Sequence, residues 1–360
     1  MPRPTIARIH LDNLRHNFRV AADMAAPGRP IAVVKADGYG HGIERVAKAL
    51  SGECDYFAVA CLEEAVALRE AGLTQPVLLL QGVHEATDLS LCEHQRFTVV
   101  VHSAQQLDWL EAGHGRPKVW LKVNSGMNRL GFAPAEIQSV HGRLARAGVT
   151  VSGAMTHFAS ADDAASESPA CQTAVFEEAT AGLGSITRSV ANSAAHFRKG
   201  QPLFDRTRPG IMLYGASPML HCHGSQLGLK AVMTLESRLV SARELAAGEA
   251  VGYGETWRSA RPTRMGIVCI GYGDGYPRHA GSGTPVWIRG KRTSLIGRVS
   301  MDMLAIDLDA VPEAQPGDRV ELWGENIPVD EVAACAGTIG YELLTGVTRR
   351  VPRVEAGEST

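Results

Sequence analysis

The sequence predicts an α/β fold, with an N-terminal (β/α)8 barrel of the TIM type followed by a mainly β C-terminal domain. Three observations lead to this prediction: the length of 360 residues, an alternation of short apolar segments with helical patterns, and a change of pattern near residue 231. At about 100–200 residues per domain, this length suggests two domains. We therefore expect the barrel over residues 1–230 and the β domain over residues 231–360.

Eight short apolar segments in the first part of the chain have the composition of buried parallel strands, which are covered on both faces. They are residues 31–34, 57–60, 77–80, 97–101, 119–123, 151–155, 186–191 and 211–214. Between them, residues 43–50 and 62–71 carry apolar side chains at helical spacing, and Gly72 is a common helix stop. Eight such alternations match a (β/α)8 barrel in number and length. An open doubly wound sheet is the alternative, although no strand is followed by GxGxxG.

After residue 231 the pattern changes to alternating polar and apolar residues separated by glycine and proline. Residues 235–240, 286–289 and 319–323 therefore predict antiparallel strands. Residues 329–336 and 341–347 predict short helices. Together these segments indicate the smaller β domain.

Composition argues against several classes of protein. The chain has 36 Lys and Arg against 38 Asp and Glu, so its charge offers no reason to expect a nucleic-acid partner. No apolar run approaches the roughly 20 residues that cross a bilayer, and the N-terminus lacks the apolar core of a signal peptide. We therefore expect a cytoplasmic protein that does not bind membranes. Seven cysteines without a CxxC pair predict reduced packing residues, and the histidine spacing predicts no metal site.

The first apolar strand runs directly into Lys35-Ala-Asp-Gly-Tyr-Gly-His-Gly. A lysine at the end of a buried strand is penalised in its charged form, so its pKa falls. A lysine that forms a Schiff base with a carbonyl compound needs this property, because only the neutral amine attacks. The following glycines would let the backbone turn tightly beside a ligand. The alternative is a lysine whose ammonium group extends to solvent before an ordinary turn.

The segment 33–42 resembles the pyridoxal-phosphate attachment motif of the alanine racemases, enzymes of fold type III. Eight further segments follow the order of that family: 121–132, 155–159, 191–194, 208–210, 251–254, 270–278, 297–302 and 350–353. The resemblance implies a racemase that interconverts L-alanine and D-alanine with pyridoxal 5′-phosphate as cofactor. It also implies a homodimer in which the C-terminal domain contributes active-site residues to the partner subunit.

The resemblance implies two catalytic bases, Lys35 and Tyr253. Lys35 would bind the cofactor and, once the substrate has formed an external aldimine, act on one face of the α-carbon. Tyr253, contributed by the partner subunit, would act on the opposite face, since racemisation removes a proton from one face and returns one to the other. An unperturbed tyrosine has a pKa near 10, so a neighbouring cation has to favour its phenolate. We expect a chain from Tyr253 through His157 to Arg208 to do so, with a purely structural histidine as the alternative.

Further residues are implied as cofactor ligands. Tyr39, Ser193, Gly210 and Tyr341 would bind the phosphate, and Arg208 would face the pyridine nitrogen. Barrels commonly place phosphate sites after strands seven and eight, which agrees with the positions of Ser193 and Gly210. Arginine donates hydrogen bonds without giving up its proton, so the ring nitrogen would stay largely unprotonated and favour racemisation over transamination.

A last group is implied to bind the substrate. Arg129 would bind the carboxylate of alanine, and Tyr272 and Met301 would line the entrance from the second subunit. Lys122 matches a position that is often carbamylated in the family, where the modified lysine orients the arginine. Asn124 replaces the aspartate that is more usual in this segment, so the hydrogen bonding near Arg129 is an open question.

Three alternatives to an alanine racemase are distinguishable. A broader racemase would act on serine or basic amino acids, and a related barrel decarboxylase would release an amine. A non-catalytic cofactor-binding protein would need neither Tyr253 nor a second domain. The reaction could supply D-alanine for peptidoglycan or serve alanine catabolism, and the residues do not separate these roles.

Overall fold

A computed structural model describes residues 3–357, which divide into two compact units. The barrel unit consists of Arg15–Leu213 and Pro218–His221. The β unit consists of the described residues up to Leu14, of Tyr214–Ser217, and of the described residues from Cys222 onward. Within residues 3–357, no helix is long and apolar enough to cross a membrane.

Seven parallel strands of the barrel unit are hydrogen-bonded to one another in chain order. They are Ala32–Val33, Phe57–Val59, Val77–Leu79, Phe97–Val101, Lys118–Lys122, Val151–Met155 and Thr187–Ser189. The strand Phe97–Val101 is buried at all five positions, as expected for a strand covered on both faces. All seven overlap the segments that the sequence predicts, and their regular parallel order confirms the predicted barrel.

The eighth strand lies earlier in the chain than the sequence predicts. Arg206–Thr207 pairs in parallel with Arg29–Pro30, and the N–H of Ile31 donates to the carbonyl of Thr207 at 2.7 Å. These contacts join the eighth strand to the segment that leads into the first strand. The prediction of a strand at 211–214 is wrong, since Ile211–Tyr214 is a 3-10 helix. These residues are apolar because they are buried, and burial selects apolar side chains whatever the backbone conformation.

Helices lie between the barrel strands along the chain, and the helix Leu11–Ala25 precedes the first strand. The helical segments from the start of the chain to the end of the barrel are Leu11–Ala25, Lys35–Tyr39, Ile43–Leu50, Leu62–Glu70, Asp88–His94, Ala104–Glu111, Ile137–Arg146 and Ser168–Thr180. Short 3-10 helices are Pro134–Glu136 and Ala194–Phe197. The predicted helices at 43–50 and 62–71 are confirmed, whereas Leu11–Ala25 was not predicted.

The β unit contains an eight-stranded sheet, which confirms the predicted mainly β domain. In sheet order its strands are Thr263–Val268, Leu304–Asp307, Lys291–Ile296, Pro285–Ile288, Arg319–Trp323, Met233–Leu245, Ile6–Ile9 and Arg353–Glu355. The long strand Met233–Leu245 pairs with Arg319–Trp323 over its first half and with Thr263–Val268 over its second, so six strands close on themselves. The N-terminal strand Ile6–Ile9 was not predicted from the sequence.

Smaller elements complete the β unit. Ala250–Val251 and Trp257–Arg258 form a two-stranded ribbon. The helices Val329–Cys335 and Gly340–Gly346 agree with the two predicted helices to within a residue at each end. Short 3-10 helices are Gly224–Leu227, Tyr253–Glu255 and Tyr272–Asp274. Two of these turns carry tyrosines that the sequence analysis assigns to the site.

Candidate active site

Lys35 begins a turn with an unusual backbone conformation, directly after the first barrel strand. Ala36, Asp37, Gly38 and Tyr39 follow one another with φ angles of 54°, 53°, 60° and 51°. A left-handed conformation costs about 1–2 kcal/mol for each residue other than glycine. With three such residues among four successive positions, the turn needs support from other groups.

Two carboxylates supply this support. Asp37 Oδ1 accepts a hydrogen bond from the N–H of Ile43 at 2.8 Å, which joins the turn to the next helix. Glu64 Oε1 accepts from the N–H of Ala36 at 2.6 Å, and Glu64 Oε2 accepts from the N–H of Ala60 at 2.8 Å. The turn that carries Lys35 is therefore joined to the following helix, Ile43–Leu50, and to the helix Leu62–Glu70.

Five basic side chains lie at or just after the carboxyl ends of barrel strands: Lys35, Lys122, Arg129, His157 and Arg208. We call them the cationic cluster. A small pocket is lined in part by Lys122, Arg129 and His157. Across residues 3–357, none of the five forms an ion pair with a carboxylate. Positive charge that no ion pair neutralises favours a ligand that carries several negative charges, such as a phosphate and a carboxylate.

Burial has the largest effect on the pKa values of this cluster. Burial, and then the positive charge of Arg129, lowers the pKa of Lys35. Lys122 is 7% exposed, and burial lowers its pKa to about 8, with Arg208, Arg129 and Lys35 acting in the same direction. Burial and the same charged neighbours hold the pKa of His157 well below its ordinary value, so His157 is neutral at pH 7. Burial lowers the pKa of Arg208 to about 9, which leaves it a cation at that pH.

Arg208 is held by acceptors at the ends of the two preceding strands. Its guanidinium donates to the Ser189 hydroxyl and to the Thr156 carbonyl, and Nη2 also donates to the Val190 carbonyl at 3.3 Å. Arg208 and Ser189 are both buried. Neither Ser189 nor Thr156 was predicted from the sequence. The hydroxyl of Ser189 within a predicted apolar strand was an available signal, whereas Thr156 accepts through its backbone carbonyl, which no residue type indicates.

A serine, a glycine and a tyrosine meet after strands seven and eight. Ser193 Oγ accepts a hydrogen bond from the N–H of Gly210 at 2.8 Å and from that of Met212 at 3.4 Å. A Cβ atom at Gly210 would lie 2.3 Å from the Tyr39 hydroxyl, so this close approach requires glycine. Hydroxyls and backbone N–H groups in this part of a barrel are suited to bind phosphate. Ser193, Gly210 and Tyr39 are therefore brought together in the barrel unit.

Asn124 organises the loop that leads to Arg129. Its Oδ1 accepts from the N–H of Gly126 at 3.3 Å and of Asn128 at 3.0 Å, and its Nδ2 donates to Asn128 Oδ1 at 3.0 Å. An amide both accepts and donates in this loop, which an ionised aspartate could not do. The amide of Asn124 therefore has a local role in holding this loop.

Tyr253 lies in the β unit, in the turn between the two strands of the ribbon. Gly252 and Gly254 on either side have φ angles of 74° and 72°, which let the chain reverse around the tyrosine. The Tyr253 side chain is 70% exposed. A tyrosine presented in this way to solvent makes few packing contacts within its own unit.

The other site residues of the β unit are held by backbone contacts. The N–H of Tyr272 donates to the carbonyl of Ser300 at 3.1 Å, and the N–H of Gly273 donates to that of Met301 at 2.8 Å. Tyr272 and Met301 are therefore brought together, and both side chains are exposed. Tyr341 is the second residue of the helix Gly340–Gly346. Over the described ranges, no group of three or more His, Cys, Asp or Glu residues could hold a metal ion.

Comparison with known proteins covers almost the whole chain. Residues 9–218 match the family model of the alanine racemase N-terminal domain, and residues 232–355 match that of the C-terminal domain. The alanine racemase of Marinobacter nauticus is 60% identical over 98% of this chain and 99% of its own length. The catabolic alanine racemase of Pseudomonas putida is 49% identical over 99% of this chain and 100% of its own.

Solved structures give the same result. The biosynthetic alanine racemase from Pseudomonas aeruginosa has a TM-score of 0.95 and 46% identity, and the match covers 98% of this chain and 99% of that one. The alanine racemase from Bartonella henselae, solved with covalently bound pyridoxal phosphate, has a TM-score of 0.89 and 31% identity over 99% and 100% of the two chains.

Proposed function

The chain belongs to the alanine racemase family, and from this we infer that Lys35 and Tyr253 exchange the α-proton of alanine from opposite faces. The protein is a pyridoxal-phosphate-dependent isomerase that interconverts L-alanine and D-alanine. The observation that carries the assignment of roles is the cationic cluster around Lys35, which forms no ion pair with a carboxylate in the described part of the chain.

Pyridoxal 5′-phosphate fits the residues of the barrel unit. Ser193, Gly210, Tyr39 and Tyr341 would hold its phosphate, and Arg208 together with His157 would hold its ring. When bound, the cofactor supplies a conjugated ring that delocalises the negative charge left on the α-carbon after proton removal. The close approach of Gly210 to Tyr39 and the positive charge of the cluster are the observations that support this fit.

Lys35 would move the proton on one face of the substrate. Burial and the charge of Arg129 lower the pKa of its amine, which increases the fraction that accepts a proton at neutral pH. The left-handed turn after Lys35 is held by its own Asp37, which accepts from the following helix, and by Glu64 of the helix Leu62–Glu70, so the start of the Lys35 side chain has a defined position. A base held in this way loses little entropy when it reacts.

Tyr253 would move the proton on the other face, as part of a homodimer. Tyr253 and Met301 are 70% and 52% exposed, and Met303 and Tyr272 are exposed as well. Large exposed apolar side chains grouped in this way are typical of interaction surfaces, and a second copy of this chain is the partner we propose. The neutral imidazole of His157 and the cationic Arg208 would then favour the phenolate form of the Tyr253 contributed by that copy.

Arg129 would bind the substrate carboxylate, with Tyr272 and Met301 limiting the size of the side chain. We also propose that Lys122 reacts with carbon dioxide, so that its neutral amine becomes a carbamate and releases one proton. A buried lysine with a pKa of about 8 has an appreciable neutral fraction at cellular pH, and three cations surround it. The carbamate would supply the negative charge that this cluster lacks and would pair with Arg129.

The test follows solvent deuterium into the α-position of each alanine enantiomer. Lys35→Ala is expected to abolish exchange into both enantiomers, whereas Tyr253→Phe is expected to impair exchange into L-alanine more than into D-alanine. Tyr276→Phe is the matched control, since it removes a buried hydroxyl of the β unit that has no hydrogen-bond partner among the described residues. Equal losses for the two enantiomers in Tyr253→Phe would reject the assignment of faces.

The proposal covers the reaction and not its physiological direction. Relatives named as catabolic and as biosynthetic match at 49% and 46% identity. D-alanine for peptidoglycan synthesis and the breakdown of D-alanine are both compatible with the site. We place the enzyme in the cytoplasm, supported by seven cysteines that are all free, since thiols persist in a reducing compartment.

A further inference from the structure

Glu64 joins two elements with the two oxygens of one carboxylate. It is the third residue of the helix Leu62–Glu70. Oε2 accepts from the N–H of Ala60 at 2.8 Å, at the end of the neighbouring barrel strand. Oε1 accepts from the N–H of Ala36 at 2.6 Å, 28 residues away in the chain. The N–H of Ala36 belongs to the peptide bond that links it to Lys35.

The contact with Ala60 lies close to the start of Glu64's own helix, one residue before the N-cap Cys61. A glutamate in the first turn commonly turns back to a free N–H group just before the helix. Helix capping does not explain the contact with Ala36, because this residue lies in a different strand-and-turn segment. The second oxygen therefore has a role that the helix itself does not need.

We propose that Glu64 is a positioning residue for Lys35, holding the peptide bond after Lys35 through Oε1 while Oε2 closes the start of its own helix. This inference rests on the proposed role of Lys35. Ala36 and Asp37 are exposed, so burial does not hold them in the left-handed conformation. The hydrogen bond to Glu64 fixes the point at which the chain leaves the strand and turns.

Electrostatics gives the same carboxylate a second effect. Glu64 favours the protonated form of the Lys35 amine, whereas Arg129 disfavours it. Lys122 and His157 also interact electrostatically with Lys35, and neither carries a negative charge as an unmodified side chain. Loss of the Glu64 charge is therefore expected to lower the pKa of Lys35.

The chain offers a matched control at Glu63. This neighbour lies in the same helical turn, is exposed, and interacts with Cys61 and His84 instead of the Lys35 turn. Glu63→Gln and Glu64→Gln remove the same charge from the same helix start. A further variant, Glu64→Asp, keeps the charge and shortens the reach, and it serves as the second variant if Glu64→Gln does not fold.

The first measurement is amide hydrogen exchange of the holoenzyme at Ala36 and Ala60. In Glu64→Ala, which removes both acceptor oxygens, and in Glu64→Asp, which shortens the reach, we expect exchange at Ala36 to accelerate at least about tenfold, because the N–H is exposed once its acceptor is lost. Glu63→Gln should leave it unchanged. Faster exchange at Ala60 with no change at Ala36 would assign Glu64 to helix capping alone and overturn the proposal.

The second measurement is the pH dependence of Lys35 acetylation by acetic anhydride in the cofactor-free protein. Glu64→Gln is expected to move the midpoint to lower pH, by enough to change the reactive fraction at least about threefold at neutral pH. Glu64→Asp should stay close to the unmodified protein, since the charge remains. An equal shift in Glu63→Gln would overturn the proposal. Neither measurement uses racemisation, so a failure of the two-base proposal in the deuterium test would be seen separately.

Discussion

Replacing Lys122 by methionine should stabilise the cofactor-free protein. Lys122 is 7% exposed, and burial lowers its pKa from 10.5 to about 8. At pH 7 the amine is protonated in both the folded and the unfolded chain, so the folded state carries the full cost of a buried charge. This difference in the pKa of Lys122 between the folded and the unfolded state corresponds to a free energy of roughly 3 kcal/mol. Methionine fills a similar space without the charge, so we expect Lys122→Met to raise the free energy of unfolding by about that amount.

The pH dependence gives a second expectation with a defined sign. Between pH 8 and about 10.5 the unfolded chain still binds the proton of Lys122, whereas the folded chain has released it. The free energy of unfolding of the unmodified protein should therefore rise with pH in this interval. In Lys122→Met this contribution should be absent, and the difference between the two proteins should shrink as the pH rises.

Urea unfolding at pH 7 and at pH 9.5, in buffer free of carbon dioxide, is the assay. Lys118→Met is the matched control, because Lys118 begins the same strand and is exposed. Adding bicarbonate should stabilise the unmodified protein and leave Lys122→Met unchanged if the carbamate forms. The reasoning is wrong if Lys122→Met is no more stable than the unmodified protein at pH 7, or if Lys118→Met shows the same gain.

Two further predictions concern stability. A Cβ at Gly153 would lie 2.5 Å from Trp120 Cε2 in the barrel core, so Gly153→Ala should lose about 1–3 kcal/mol in thermal unfolding. Gly142→Ala, in an open helical position, should gain about 0.5–1 kcal/mol, and a loss there as large as at Gly153 would contradict the argument. Burial lowers the pKa of His196 to about 4, so the unfolded chain binds this proton first as the pH falls. Stability should then decrease by roughly 3 kcal/mol between pH 7 and 4, and an unaltered acid dependence in His196→Asn would reject this cause.

The barrel strands show which features of the fold a pattern of apolar residues predicts. Six of the strands could be predicted because they are buried at most positions, and such burial selects apolar residues along the segment. The seventh strand, Thr187–Ser189, is itself polar and buried only at Ser189, and it was predicted from its apolar neighbours Ile186, Val190 and Ala191. The eighth strand was misplaced because Arg206–Thr207 is short and polar, and its hydrogen bonds with Arg29–Pro30 depend on closure of the barrel. Closure of the barrel depends on the whole sheet, so a local sequence pattern does not predict it.

By itself the sequence determined the two-part architecture, the family and the residue types of the candidate site, since these follow from periodicity and from motifs that lie along the chain. Only the tertiary structure decided which groups act on one another. Lys122, Arg129 and His157 come together because parallel strands end at one edge of the barrel. Glu64 reaches the turn after Lys35 for the same reason. The pKa values and hydrogen bonds of the site depend on the distances between side chains from different segments and on how deeply these side chains are buried. Both depend on how the segments pack, which the order of residues along the chain does not show.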